Sequence, residues 1–417
     1  MKTLNAIIQY GIPLFVFLIP WQARLILDPG AINGTYWEYG TTSLYATEIL
    51  LLLVLLAVVS KGMMHIIRRK PRFVLKQLNS PGGGLFLLAV WAGVSLFWGV
   101  DRGVGLEHWL VLVSAGAVFL VIASGAVPFR QLSWAIILSG SIQAILAFVQ
   151  FRWQWLPAST LLGTAFQHAS MLGASVVETD MGRWLRGYGS FPHPNILGGW
   201  LALGLLLAIK EAGRRGRSSA ARALAYIPIA LLSIGLAITF SRGAWLAFDI
   251  GLVLLVIKQR RESVLSLAVI ILFIGTLVFS YPEPFSERIF GSGRLEEKSI
   301  QERSGGASEA WHIIKQHPLV GIGIGNYGLA VHRDIDDTKP AYYYQPVHNV
   351  PLLILAELGA IGLILVVVFL LSLRALVLKG EAILSSRNSL MSGAVFLLPL
   401  AILSFFDHYL WSLYSGM

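Results

Sequence analysis

The sequence predicts an all-α membrane protein that crosses the bilayer many times, and three observations support this fold class. Of the 417 residues, 56% are hydrophobic and 13% are charged, whereas soluble domains carry about 25% charged residues. The apolar stretches are about 17–25 residues long, which is enough for a helix to cross a bilayer. They also lack the strict alternation of apolar and polar residues that is typical of membrane β-barrels.

Eleven apolar segments follow one another along the chain, and each is predicted to form a membrane-spanning helix. Their approximate bounds are 6–22, 44–60, 84–100, 106–124, 131–151, 190–209, 223–240, 243–257, 263–280, 348–373 and 389–406. Only Lys2 precedes the first segment as a charged residue, and no small-residue cleavage site follows it, so we interpret it as a retained helix. A twelfth span would need about 20 further apolar residues, and we expect eleven or twelve spans.

Basic residues concentrate in every second connection. If the N-terminus lies in the cytoplasm, the cytoplasmic loops are 61–78, 210–222, 258–262 and 374–387, and each of them is basic. This is the positive-inside distribution of membrane proteins, and it predicts the orientation of the whole chain. The net charge of +10 therefore reflects topology, and we do not expect nucleic acid as a partner.

The chain is predicted to form one membrane domain with two elaborations on its outer side. Residues 1–280 form the first part of the bundle, with a smaller external loop near 153–189. Residues 281–347 form a large outer loop, and residues 348–417 form the C-terminal spans. Within the large loop, Glu302–Gln316 lacks proline and is followed by His317-Pro318, which predicts a helix that ends there.

Three residues on the outer side are candidates for chemistry. His348 lies where the chain re-enters an apolar segment, and a neutral imidazole can take a proton from a hydroxyl near neutral pH. Arg242 lies between two apolar segments and Arg303 in the predicted external helix. Arginine binds phosphate through a planar, bidentate fork and stays charged. The alternatives are that His348 caps a helix, Arg242 snorkels to the interface and Arg303 is a solvated charge.

A second polar segment precedes the sixth span. Arg183 and Arg186 come before the run Gly187–Asn195, which bends repeatedly and then opens a helix. His193 and Asn195 would lie at the N-terminus of that helix, where an anionic ligand is favoured. The alternative is that these two residues cap the helix.

Other polar residues give weaker indications. Glu48, Asp249 and Glu357 lie within apolar segments, and a proton-coupled transporter would use such acids, but they are scattered and no internal repeat accompanies them. The chain has no Cys, and its histidines do not follow a metal-ligand pattern. We therefore predict neither a protein-bound catalytic metal nor a cofactor. The run Gly321–Gly325 lacks the spacing of a dinucleotide-binding fingerprint.

Four segments taken in chain order resemble the signature of the O-antigen ligase and O-antigen polymerase superfamily of bacterial membrane glycosyltransferases. The first two are GSFPHPNILG at 189–198 and FSRGAW at 240–245. The third is Arg303 with Trp311 and the run HPLVGIGIGNY at 317–327, and the fourth is His348-Asn349 with ELGAIG at 357–362.

The resemblance implies a GT-C-like bundle of about twelve helices in the bacterial inner membrane, with its active site at the periplasmic face. It implies a glycan donor on undecaprenyl pyrophosphate and transfer to an acceptor hydroxyl without a metal. By motif position, the essential histidine and arginines of the family correspond to His348, Arg242 and Arg303, and Arg186 is a further candidate. Contacts with substrate are expected from His193, Asn195, Asn349 and Tyr344.

The expected reaction is the ligation of O-antigen to lipid A–core with inversion, in which His348 acts as general base and the arginines clamp the pyrophosphate. A polymerase of the same superfamily, or a ligase that glycosylates protein hydroxyls, would share these motifs. A protein of another class, a transporter or flippase of a lipid-linked or anionic solute, would need a hydrophilic path across the membrane. The polar candidates gather on the outer side, which favours an enzyme.

Overall fold

The computed structural model describes residues 2–68, 80–213, 219–258, 260–291, 293–384 and 388–417. Within these ranges helix follows helix, and five helices are long and apolar enough to cross a membrane. They are Arg102–Ala123, Phe129–Trp153, Pro194–Ala212, Ser263–Ser280 and Val350–Arg374. The prediction of an all-α polytopic membrane protein is confirmed, whereas the GT-C-like arrangement stays an expectation.

Each of the eleven predicted spans coincides with one helix of the described chain. These helices are α1 (Lys2–Leu18), α2 (Ala46–Arg68), α3 (Pro81–Val94), α4 (Arg102–Ala123), α5 (Phe129–Trp153), α6 (Pro194–Ala212), α8 (Tyr226–Ile238), α9 (Arg242–Lys258), α10 (Arg260–Ser280), α14 (Val350–Leu384) and α15 (Asn388–Phe406). Shorter or more polar helices lie between and after them: α7 (Ser219–Leu224), α11 (Pro282–Phe290), α12 (Arg294–Gln316), α13 (Tyr327–Asp334) and α16 (Tyr409–Ser412). The helix predicted at Glu302–Gln316 ends where expected but begins eight residues earlier, at Arg294.

Short strands occupy the first and third predicted outer connections. They pair as four antiparallel two-stranded sheets, β1–β4, β2–β3, β5–β6 and β7–β8. Their bounds are Arg24–Asp28 (β1), Ala31–Ile32 (β2), Thr35–Tyr36 (β3), Thr42–Tyr45 (β4), Trp155–Leu156 (β5), Gln167–His168 (β6), Val176–Thr179 (β7) and Gly182–Leu185 (β8). Apart from the last two residues of β4, which overlap the predicted span beginning at residue 44, the strands lie between the apolar segments, so they leave the fold class unchanged.

The largest core lies where α5, α6, α8 and α9 pack together, and α6 forms its centre. Leu201, Leu205 and Leu206 on this helix have no exposed surface. Lipid tails are as apolar as leucine, so close packing must hold such helices together, and small residues allow the close approach. At Gly235 of α8 an added Cβ would lie only 2.5 Å from the Ala144 Cβ of α5.

The predicted outer connections touch one another in the structure. Asn33 donates from Nδ2 to the carbonyl of Asp337 at 2.7 Å, and Trp37 donates from Nε1 to the carbonyl of Tyr344 at 2.8 Å. Ser190 donates to the carbonyl of Pro20 at 2.6 Å. These contacts bring the connection after α1, the segment before α6 and the large loop to the same end of the bundle.

Helix α14 is broken near its start, and the large loop packs against the break. Gly359 has φ 67° and ψ −171°, so the carbonyls of Ala356 and Glu357 lack their usual helical partners. They accept hydrogen bonds from Ile322 N at 3.1 Å and Gly323 N at 2.8 Å. The glycine-spaced run of the loop thus completes the hydrogen bonding of the span.

The basic connections that predicted the orientation lie largely outside the described residues, at 69–79, 214–218, 259 and 385–387. The sidedness of the bundle therefore stays a prediction.

Candidate functional site

The polar cluster lies where three membrane helices end at the surface shared by the outer connections. His193 is the N-cap residue of α6, His348 lies two residues before α14, and Asp407 follows the last residue of α15. Helix ends expose unpaired backbone groups and admit polar side chains, so residues far apart in the chain can meet here.

His348 is half-buried and makes no hydrogen bond within the described part of the chain. Its ring lies against that of His408, with 5.0 Å between centroids and an interplanar angle of 77°. Burial lowers the pKa of His348, and the charge of Arg303 lowers it further, whereas Asp407 opposes the shift. The imidazole is therefore neutral near pH 7 and free to accept a proton.

Asp407 is buried beside this imidazole. Its Oδ2 accepts a hydrogen bond from Asn195 Nδ2 at 2.9 Å, and its Oδ1 accepts one from the backbone N–H of His408 at 2.8 Å. Burial alone would raise the pKa of Asp407, but the pKa is lowered overall, and the hydrogen bond from Asn195 contributes to the lowering. The carboxylate is held ionised next to His348.

Arg186 supports the carboxylate through Asn195. Its Nη2 donates to Asn195 Oδ1 at 2.6 Å and its Nε to the carbonyl of Thr239 at 2.7 Å. Burial and the charge of Arg288 lower the pKa of Arg186 to about 9, so the guanidinium is protonated at neutral pH. Because Arg186 is buried and its Nε and Nη2 are engaged, it orients Asn195 and, through Asn195, Asp407.

The two other histidines of the cluster have both ring nitrogens engaged. His193 Nδ1 accepts from the backbone N–H of Asn195 at 3.1 Å, and its Nε2 lies 2.9 Å from Ser175 Oγ. His408 Nδ1 lies 2.5 Å from Ser412 Oγ, and its Nε2 lies 3.4 Å from the Tyr39 hydroxyl. Burial lowers the pKa of both to about 3. Both rings are neutral parts of the framework.

Three arginines line a cavity of about 300 Å³ next to this cluster. Arg242 begins α9, Arg288 lies on α11 and Arg303 on α12. The turn that presents Arg242 contains Phe240 with φ 49°, an uncommon conformation for a residue with a side chain, and its carbonyl accepts from Arg288 Nε at 2.7 Å. Three guanidinium groups at one cavity suit a ligand with several negative charges.

One carboxylate bridges two of these arginines. Glu296, in the first turn of α12, lies with Oε2 2.5 Å from Arg242 Nη2 and pairs through Oε1 with Arg288 Nη1. The side chains of Glu296 and Arg288 are 14% and 13% exposed, so water screens this pair little, whereas Arg242 is 44% exposed. Arg303 makes no ion pair among the described residues and remains the unpaired cation of the cavity.

A second cavity of about 270 Å³ lies on the imidazole side. His348, His193 and His408 form one wall of it. The connection between α1 and α2 also lines it, with Gln22, Arg24, Glu38, Tyr39 and Tyr45. Asp407 and Tyr409 line both cavities, so the carboxylate stands at their junction.

Tyr344 and Asn349, which were expected to contact substrate, lie outside the two cavities. Tyr344 is fully buried in the core of the large loop, where its hydroxyl donates to the carbonyl of Asp336 at 2.8 Å. Asn349 caps α14, since its Oδ1 accepts from Leu352 N at 3.0 Å. Neither lines a cavity described above, and each serves local structure.

His348, Asp407 and His408 each place a potential metal-ligand atom within 4.8 Å of the others. Both Asp407 oxygens and both His408 nitrogens already have hydrogen-bond partners, whereas His348 has none among the described residues. The absence of a catalytic metal stays a prediction.

Sequence reasoning passed over Asp407, His408, Arg288 and Glu296. Asp407 and His408 directly follow the last apolar segment. They lie where a span meets the outer side, as His348 does, and this position could have identified them as candidates. Arg288 and Glu296 lie among other charged residues of the large loop, and no local pattern distinguishes them.

The fold and the cluster define a polytopic membrane protein with a histidine, a carboxylate and three arginines at one end of its bundle. Residues 227–367, about a third of the chain, match the family model described as O-antigen ligase. This match confirms the resemblance that the motifs indicate. Three of the four motifs lie within it.

A curated relative, the O-antigen ligase of Salmonella typhimurium (strain LT2), is 30% identical over 132 residues. The match covers 30% of this chain and 33% of the relative. The chain thus aligns with about a third of the length of the curated relative it matches.

Proposed function

We propose that the protein is an inverting membrane glycosyltransferase that moves a glycan from undecaprenyl pyrophosphate to an acceptor hydroxyl. Ligation of O-antigen to lipid A–core, at the periplasmic face of the bacterial inner membrane, is the reaction we favour. The observation that carries the proposal is the unpaired, neutral imidazole of His348 beside a cavity lined by three arginines. The O-antigen ligase match of residues 227–367 supports the same class of reaction.

In the proposed mechanism His348 takes the proton of the acceptor hydroxyl. The acceptor oxygen forms a bond to the anomeric carbon while the bond from that carbon to the pyrophosphate oxygen breaks. Undecaprenyl pyrophosphate leaves with the electron pair of that bond, and the proton stays on His348 until solvent removes it. Asp407 stabilises the imidazolium that forms, as a carboxylate does beside a catalytic histidine.

The arginines act on the leaving group. Arg242, Arg288 and Arg303 surround the cavity in which the pyrophosphate would lie, and fixed cations there stabilise the negative charge that develops as the bond breaks. Pyrophosphate is already a good leaving group, so positioning and electrostatics supply the chemistry without a cofactor.

The test compares the purified wild type with His348→Ala and with His312→Ala, a control on the exposed part of α12. Each is incubated with glycan-loaded undecaprenyl pyrophosphate, with and without lipid A–core. We expect His348→Ala to lose transfer by a factor of about 10²–10⁴ and to keep donor binding, and His312→Ala to behave as wild type. Full transfer by His348→Ala would eliminate the proposed mechanism.

The same experiment separates the acceptors. Glycan on lipid A–core indicates a ligase, and a His348-dependent ladder of longer lipid-linked glycan without that acceptor indicates a polymerase. If neither forms, protein hydroxyls are the next acceptors to supply. Flux of a solute through liposomes without any transfer would favour a transporter.

A further inference from the structure

We propose that the cavity beside His348 is the subsite for an uncharged acceptor sugar, and that the connection between α1 and α2 (residues 22–45) determines which sugar enters. The inference rests on the proposed function and deepens it, because it assigns the two cavities to the two substrates.

The first argument is the relative placement of the cavities. An inverting displacement requires the nucleophile and the leaving group on opposite faces of the reacting carbon. The arginines lie in one cavity and the His348 base in the other, and Asp407 and Tyr409 stand between them. If the leaving pyrophosphate occupies the arginine cavity, the acceptor hydroxyl must come through the cavity of His348.

The second argument is the charge of the lining. Arg24 and Glu38 form an ion pair at 2.8 Å, so their charges cancel within the cavity wall. His193 and His408 are neutral, because burial lowers the pKa of both to about 3. The remaining full charge is the negative one of Asp407. Such a lining disfavours a phosphate or carboxylate ligand and admits an uncharged one.

The third argument is the hydrogen-bonding capacity. The Gln345 side chain lines the cavity and makes no hydrogen bond within the described ranges. Gln22 uses its Nε2 on the carbonyl of Ile19 at 2.7 Å, which leaves its amide oxygen as an acceptor. The rings of Tyr39 and Tyr45 add flat apolar surface. Amide groups between aromatic rings suit a sugar, which carries several hydroxyls on an apolar ring.

The fourth argument is the origin of the two walls. Arg242, Arg288, Arg303 and His348 all lie within residues 227–367, the part that matches the O-antigen ligase family. The lining residues of the connection between α1 and α2, from 22 to 45, form the acceptor wall and lie outside it. Gln345 of the same cavity lies within it. The arginines of the donor cavity therefore belong to the segment that the family model matches, whereas the acceptor wall belongs to a part of the chain that the match does not cover.

The acceptor wall is a built element and not a loose loop. Strand β1 pairs with β4 from Arg24↔Tyr45 to Asp28↔Thr42, which fixes Arg24 and Tyr45 side by side. Asn33 and Trp37 hold the connection against the large loop through the contacts described above. A rigid wall of this kind can discriminate between acceptors, because a hydroxyl in the wrong place leaves a polar group unpaired.

The test uses Gln345→Ala and Glu38→Gln in the full-length protein. Initial rates are measured against acceptor concentration at saturating donor, and against donor concentration at saturating acceptor. For Gln345→Ala we expect the KM for the acceptor to rise about tenfold, the effect of one lost hydrogen bond to a neutral ligand. For Glu38→Gln we expect it to rise because the charge of Arg24 is no longer cancelled in the cavity wall. The KM for the donor should change less than twofold in both variants. Glu178→Gln, which breaks the exposed pair with Arg294, is the matched control.

The opposite results would overturn the assignment. A rise in donor KM with unchanged acceptor KM would assign the cavity to the donor, and equal rises in both would indicate a purely structural role. Unchanged values for both would remove the subsite.

A binding measurement separates this inference from the proposed function. Labelled core oligosaccharide, freed of its lipid, is titrated into the wild type and both variants. Weaker binding by the variants supports the subsite even if the wild type transfers no glycan, and equal binding by all three proteins rejects it.

Discussion

At the scale of single residues, the candidate base is distinguished from its neighbours by its free nitrogens. His193 and His408 use both ring nitrogens in hydrogen bonds, whereas His348 uses none among the described residues. The sequence predicted His348 and Arg242 as site residues because both lie where an apolar segment meets a polar loop. It could not place Asp407 and His408 beside His348, because they lie 59 and 60 residues further along the chain. Only the packing of α14 against α15 brings these residues together.

The first residue-scale prediction concerns pH and stability. His193 and His408 have a pKa of about 3 in the folded protein and about 6.5 when unfolded. Between these values unfolding lets both histidines take up a proton, and His348, whose pKa burial also lowers, adds to the uptake. Stability therefore falls as the pH falls below about 6.5. The slope should approach about 1.4 kcal/mol per pH unit for each histidine. Thermal unfolding in detergent at pH 7.5, 6 and 5 measures it.

His408→Asn provides the control for this pH dependence. The variant removes one of the titrating histidines, so the loss of stability per pH unit should be smaller than in the wild type by up to about 1.4 kcal/mol. An unchanged slope would show that other groups govern the acid sensitivity.

The second residue-scale prediction concerns Glu296. Its carboxylate occupies Arg242 and Arg288, the same groups that a pyrophosphate would contact. Glu296→Gln should therefore raise the affinity for inorganic pyrophosphate, by about tenfold for each 1.4 kcal/mol of competition removed. Titration calorimetry measures the affinity.

Glu297→Gln removes an exposed acid from the adjacent position and should leave that affinity unchanged. Weaker pyrophosphate binding by Glu296→Gln would mean that the carboxylate orients the arginines while the anion is bound.

At the scale of elements, the helices were predictable and their interruptions were not. Runs of apolar residues determined all eleven predicted spans, because the length of a run alone sets whether a helix can cross a bilayer. The strands escaped prediction because each has two to five residues and depends on a distant partner, as β1 depends on β4. The break in α14 escaped it too, because a single glycine in an apolar run is ordinary in membrane helices.

The element-scale prediction tests that break. At Gly359 the backbone has φ 67°, and an added Cβ would lie 2.2 Å from the carbonyl oxygen of Leu319. Gly359→Ala should cost at least about 2–3 kcal/mol, because it adds strain in a region nearly restricted to glycine and displaces the loop. The midpoint of thermal unfolding and the yield of folded protein report this loss.

Gly275→Ala is the matched control in another span. No atom lies within 4 Å of the Cβ that it adds to α10, and alanine favours a helix over glycine. The variant should be as stable as the wild type or more so. A similar loss of stability in both variants would refute the explanation from the break.

At the scale of the whole molecule, alternation of spans predicted which connections share a side, and the structure brings several of these connections into contact. The connection after α1, the segment before α6, the large loop and the residues after α15 together form the candidate site. Alternation could assign these segments to one face, but the contacts within the face, such as Arg186 with Asn195, depend on how the helices pack laterally.

The prediction at this scale is the sidedness of that face. The chain contains no Cys, so one introduced thiol is the sole target for a maleimide. Gln301→Cys, exposed on α12, should react in intact cells with a reagent that cannot cross the inner membrane. Ser124→Cys, in the connection between α4 and α5, should react only after the membrane is permeabilised. The reverse pattern would invert the proposed topology.

The break in α14 also constrains the order of assembly during biosynthesis. A span that enters the bilayer with unpaired carbonyls at Ala356 and Glu357 loses several kcal/mol for each group that stays unsatisfied in lipid. The segment that pairs with them, Ile322 and Gly323, precedes the span in the chain and leaves the ribosome first. If the loop has already been translocated when α14 leaves the insertion machinery, Ile322 and Gly323 can pair with the carbonyls of the span as soon as it enters the bilayer.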